Sequence, residues 1–162
     1  MFQGTDENLR DGRQTARESL AQLIFWHLEY VHAIEALVAG QTCSLRHGTF
    51  TELNALAARQ VRDEPMPVLA GRLSYRQKQL SKHLRELSDW SLNFPVKADG
   101  SFCTVAERVL QIEAHVSAHV ARLRRAARHH ASAAGVSLGP VNAFALPGTR
   151  SYFLKIGPVL ST

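Results

Sequence analysis

The chain has little that would staple a fold together or anchor it in a bilayer. It carries two cysteines in 162 residues, Cys43 and Cys103, and they form no CxxC pair. That sparsity excludes a disulfide scaffold and a paired-cysteine zinc motif, and it fits a reduced, cytoplasmic setting. No apolar run approaches the ~20 residues that a membrane-spanning helix requires. The opening MFQGTDENLRDGRQ contains acidic residues and no apolar segment, so it is not expected to act as a signal peptide. A phosphate-binding glycine loop, a nucleophile triad and an internal repeat are also missing. What is present is 45% apolar and 20% charged, enough for one soluble domain with a buried core. The net charge of +5 permits acidic partners. Much of the excess sits in RLRRAARHH, where cations at a helix C-terminus are a sufficient reason, so nucleic acid is not the expected partner.

Helical signals dominate the rest. Thr104 with Glu107, Thr15 with Glu18 and Thr49 with Glu52 all have the spacing of a capping box, in which each side chain satisfies the other's backbone N–H. The first predicts a helix over residues 104–128, TVAERVLQIEAHVSAHVARLRRAAR, ending at its arginine cluster. Val105, Val109, Ile112, Val116, His119 and Leu123 recur in it at steps of four and three, the seam of a bundle helix. His119 therefore faces inward. His115 lies one turn earlier, so the two imidazoles can address one spot. The second box predicts a helix over 15–39, free of internal Gly and Pro, with Gly40 as its C-cap. Its seam is Leu20, Ile24, His27, Val31, Ile34 and Val38, which turns His27 inward, while Leu23, Trp26, Tyr30 and Leu37 widen the stripe.

The third box predicts a short helix from Thr49 to about Arg62, with Phe50, Leu53, Leu56, Ala57 and Val61 as its apolar positions. Pro65 and Pro67 interrupt it and suit the first turn of another, running to about Leu87 with Leu69, Leu73, Leu80, Leu84 and Leu87 facing in. Residues 88–103 form a turn-rich connection in which Asp99-Gly100 marks the clearest turn and Trp90 and Phe94 are expected to lid one end of the bundle. These boundaries give an arm at 1–14, an all-α up-and-down helical bundle at 15–131 and an irregular or disordered extension at 132–162, where Gly and Pro recur and only Arg150 and Lys155 carry charge.

Three stretches taken together, SLAQLIFWHLEYVHAIEALVAG, LNALAARQVRDEPMPVLAGRL leading into RQKQLSKHLRELSD, and TVAERVLQIEAHVSAHVARLRR, resemble the DinB-like four-helix bundle superfamily. Within it they look most similar to the ClbS/DfsB-like branch, over roughly residues 15–127. The resemblance implies a metal site joining one histidine of the first of these helices to two of the last. His115 and His119 match the latter pair. The first-ligand position, four before Trp26, holds Gln22. His27 stands in as the alternative ligand, five positions on and roughly 140° round the helix from Gln22, so the two are not expected to serve one site. Val116 occupies a place that is often aromatic in that branch. The resemblance also implies a full helix ahead of Thr15. Residues 1–14 are too short and polar to supply one, which leaves a flank for the tail or a second copy of the chain to cover unless the chain is truncated there.

His27, His115 and His119 are thus the candidate metal ligands, three imidazoles suited to Zn, Ni or Fe with a position left open for water or substrate. Glu29 and Glu113 are candidates for acid/base or supporting roles, against the alternative of ordinary helix-surface charges. Besides a basic nucleic-acid-binding protein using the arginines from Arg122 to Arg128, the least expected of three, two functional readings stay open. One, implied by the resemblance, is a metal-dependent transferase, isomerase or hydrolase acting on a small reactive molecule in stress or toxin protection. The other is a non-catalytic bundle with a decayed metal site, acting as a binding or homodimerisation module.

Overall fold

All three capping boxes close. Thr15 and Thr49 each accept from the backbone N–H three residues on, while Glu18 and Glu52 bond back to the cap. Thr104 N–H donates to Glu107 Oε2 at 2.8 Å and Glu107 N–H to Thr104 Oγ1 at 3.2 Å. The computed structural model describes residues 9–11, 14–96 and 101–133; residues 134–162 of the expected tail, most of the expected arm and the Asp99-Gly100 turn lie outside them. Its helices are α1 (Ala16–Val38), α2 (Phe50–Gln60), α3 (Met66–Glu86) and α4 (Val105–Ala133), and the described residues are mostly helical.

Helix α1 ends in a Schellman motif. Gly40 takes φ of +69°, Gln41 N–H reaches Ala36 O at 2.8 Å and Gly40 N–H reaches Leu37 O at 3.0 Å. Pro65 caps α3 and Pro67 sits in its first turn, where a missing N–H costs nothing. Helix α4 continues to Ala133, past the arginines expected to end it, because the first residue beyond them that disfavours a helix is Gly135.

The order is up-down-up-down. The Arg17 guanidinium, at the start of α1, donates to Val61 O and Glu64 O, so α2 ends and α3 begins beside that end. At the other end His83 Nε2 of α3 lies 2.9 Å from Glu35 of α1. Helices α1 and α3 therefore run parallel, with α2 antiparallel between them in sequence. Val105 N–H bonds Leu92 O and Ala106 N–H bonds Trp90 O, so α4 starts where α3 has finished and runs back. Helix α1 packs far more extensively on α3 and α2 than on α4.

Two short ladders were not expected from the sequence. In the N-terminal region, β1 (Arg10–Asp11) pairs antiparallel with β2 (Gln14–Thr15), and β1 lies against α4. This part of the presumed arm is fastened because Ala16 N–H bonds Leu9 O and Leu9 is buried. In the α3–α4 connection, β3 (Asn93–Pro95) pairs with β4 (Phe102–Thr104), with Phe94 opposite Cys103. Phe94 is 1% exposed, more a core residue than a lid, whereas Trp90 is half-buried.

The seams face inward as spaced, with exceptions at helix ends. Val38 is 41% and Phe50 50% exposed, since each stands at a helix terminus, where neighbouring helices cover only part of the side chain. The apolar core divides in two. One part gathers Leu20, Trp26, Leu53, Leu69, Leu73 and Leu123, the other Val31, Ile34, Leu80, Leu84, Phe94 and Val105. Between them along α1 and α3 fall the buried polar residues His27 and Gln77, and Tyr30 packs against both halves.

Candidate functional site

A cleft of about 390 Å³ opens at the level where the core divides, between α1, α2 and α4. Helix α1 lines it with Gln22, Leu23, Trp26, His27 and Tyr30, and α2 adds Phe50 and Asn54. Helix α4 contributes Arg108, Gln111, Ile112, His115 and Val116, spaced i, i+3, i+4, i+7 and i+8, so that they form a single stripe that shares Ile112 and Val116 with the apolar seam. The thin α1–α4 contact is what leaves room for it.

One wall is aromatic. Trp26 stacks with Tyr30 at 6.2 Å between ring centroids and 28° between planes, and Phe50 approaches Trp26 at 5.2 Å. The Trp26 indole N–H donates to Asn54 Oδ1 at 3.0 Å, which fixes the ring and explains why α2 sits where it does. Phe50 is half out of the protein and forms the rim.

His27 is 3% exposed. Its Nδ1 lies 2.6 Å from Leu23 O and can only donate to that carbonyl, which leaves Nε2 as the unprotonated nitrogen of the neutral ring. Burial holds its pKa far down, at about 4; the Leu23 bond opposes the shift and repulsion from His115 adds to it. His27 is therefore a neutral imidazole at ordinary pH. Burial also raises the Tyr30 phenol, against the pull of the nearby Arg108 guanidinium.

The three candidate ligands are placed differently from one another. His115 is exposed on the cleft, opposite the buried His27. His119 is 3% exposed and meets His115 edge to face at 4.6 Å between centroids, behind the lining rather than in it. Among the described residues no three of His, Cys, Asp and Glu stand together as a ligand set. Gln22 and His27 both line the cleft, roughly 140° apart round α1 with Trp26 and Tyr30 in the arc between them.

Glu29 lies outside the lining and is structural. Its carboxylate accepts from Arg46 N–H at 3.0 Å and lies 3.6 Å from Arg46 Nε, pinning the α1–α2 loop. Glu113 is half-buried and also outside the lining. Cys43 and Cys103 are free thiols, both pushed up in pKa first by burial.

Arg108 was not legible as a site residue. It is 8% exposed, donates to Gln111 Oε1 at 3.0 Å and to Val96 O at 2.9 Å, and lies over the Tyr30 ring at 5.3 Å and the Phe94 ring at 5.7 Å. The signal available was its spacing of seven from His115, two helical turns along one face. Compared with protein-family models, with curated proteins and with solved structures, the chain has no match.

Proposed function

We propose that this chain is a small-molecule-binding helical bundle of the DinB-like kind, and that its ligand occupies the cleft between α1, α2 and α4. One observation carries the reading: a cleft of about 390 Å³ combines an aromatic wall of Trp26, Tyr30 and Phe50 with polar groups from three helices converging on the same space. Ligand sites are commonly concave, mostly apolar, and marked by a few placed polar groups. His27, buried and neutral, supplies an imidazole nitrogen that accepts a hydrogen bond from a ligand or takes up a proton only weakly. A fragment screen read by Trp26 fluorescence tests this, with Val116→Phe as the control that fills the cleft. Saturable binding by the natural protein, lost in a folded Val116→Phe protein, is expected. Hits that bind both proteins equally would place the ligand elsewhere and overturn the reading.

A metal-dependent reading is favoured by the closeness of His115 to His119, 4.6 Å between rings, and by the neutral His27 across the cleft. Among the described residues these three imidazoles do not form a converging set. Equilibration with Zn or Ni followed by elemental analysis separates the readings. About one metal per chain, lost in His119→Ala, favours a metal centre; none in either protein favours metal-free binding.

A further inference from the structure

Arg108 is in an unfavourable place for a cation. It stands in the first turn of α4, where the helix presents its positive end. It is also 8% exposed, and burying a charge is costly unless an opposite charge and hydrogen bonds compensate. Among the described residues its compensation is all neutral: one amide oxygen, one carbonyl and the faces of two aromatic rings. Its Nε is buried and has no hydrogen-bond partner. Among the described residues no carboxylate lies within ion-pair distance of it, and none of the side chains lining the cleft is acidic.

A guanidinium offers five N–H donors in a rigid fork whose geometry matches a carboxylate. Among the described residues it makes two such bonds. The aromatic wall of Trp26, Tyr30 and Phe50 is suited to a flat apolar body rather than to a heavily hydroxylated one. We infer that the cleft selects a small organic carboxylate with a flat apolar body, whose negative charge is the counter-charge that the described residues do not provide for Arg108. The inference rests on the cleft being a small-molecule site, and adds the charge and shape of what enters it.

Benzoate, benzamide and benzamidine share one ring and differ in charge, so they are the probes. Each is titrated at low salt into the full chain, with Trp fluorescence and calorimetry as readouts, and into Arg108→Gln and Arg108→Lys. Benzoate should bind the natural protein at least roughly tenfold more tightly than benzamide, the size of a charge-assisted bond lost, and benzamidine should bind weakest. In Arg108→Gln the benzoate preference should vanish while benzamide affinity stays; in Arg108→Lys part of it should survive. Benzamide binding as well as benzoate to the natural protein would overturn the carboxylate inference and leave the cleft reading standing. If no probe binds at millimolar concentration, the cleft reading falls and this inference with it. The comparison within the natural protein decides the matter even if Arg108→Gln does not fold.

Discussion

Mild acid should destabilise this protein through His27. The unfolded chain protonates that imidazole near its ordinary 6.5, whereas the folded protein holds it neutral down to about 4. The unfolded state therefore binds more protons between those values, so stability present above pH 6.5 is lost as pH falls and the loss levels off below about 4. The full difference corresponds to about 3 kcal/mol, of which about 2 kcal/mol is gone by pH 5. The carboxylates of Glu52, Glu107 and Asp89 are held low by hydrogen bonds from Thr49, Thr104 and Ser91, so their losses come below the ordinary carboxylate range.

The assay is urea unfolding of the natural protein and of His27→Leu at pH 7.5 and pH 5. Leucine has a similar volume and does not titrate. Relative to the natural protein, His27→Leu should gain about 2 kcal/mol on going from the higher to the lower pH. His115 faces His27 and repels its charged form, so a smaller gain in a His115→Gln background would report that pairing. A stability difference between His27→Leu and the natural protein that is the same at both pH values would refute the argument.

Leu69 is fully buried in the half of the core that holds Trp26, so Leu69→Ala should cost about 2–5 kcal/mol, seen as a lower urea midpoint with unchanged slope. At Gly40 a methyl group would meet nothing within 4 Å, but φ is +69°. Gly40→Ala should therefore cost about 1 kcal/mol from backbone conformation alone, and thermal melts showing no loss would mean that the α1 C-cap relaxes freely.

Helix starts were legible because a capping box is a local chemical statement: a threonine and a glutamate three residues apart bond each other's backbone whatever lies across the core. Seams were legible because 3.6 residues per turn maps spacing onto a face, which placed Leu20, Ile24, His27, Val31 and Ile34 inside. The same periodicity misjudged Val38 and Phe50, since burial at a helix terminus depends on how far the neighbours extend. It also overlooked the two short ladders, whose strands of two and three residues are too brief to show an alternation.

The candidate site divides along similar lines. The pairing of His115 with His119 is a property of one helix and could be read from spacing four. Whether His27 joins them depends on how close α1 and α4 approach, which no local pattern encodes. The tertiary structure leaves those helices in thin contact and opens the cleft. It also brings Arg108 of α4 over Tyr30 of α1 and Phe94 of β3, residues scattered through the chain, and so turns an ordinary helix-surface arginine into a buried cation. By itself the sequence determined a mainly helical fold, most of its helix boundaries and the inward faces of its helices, because those follow from interactions within a few residues. Only the tertiary structure decided where the core parts, which side chains meet in the gap and which arginine is buried there, because these depend on distances between segments far apart in the chain.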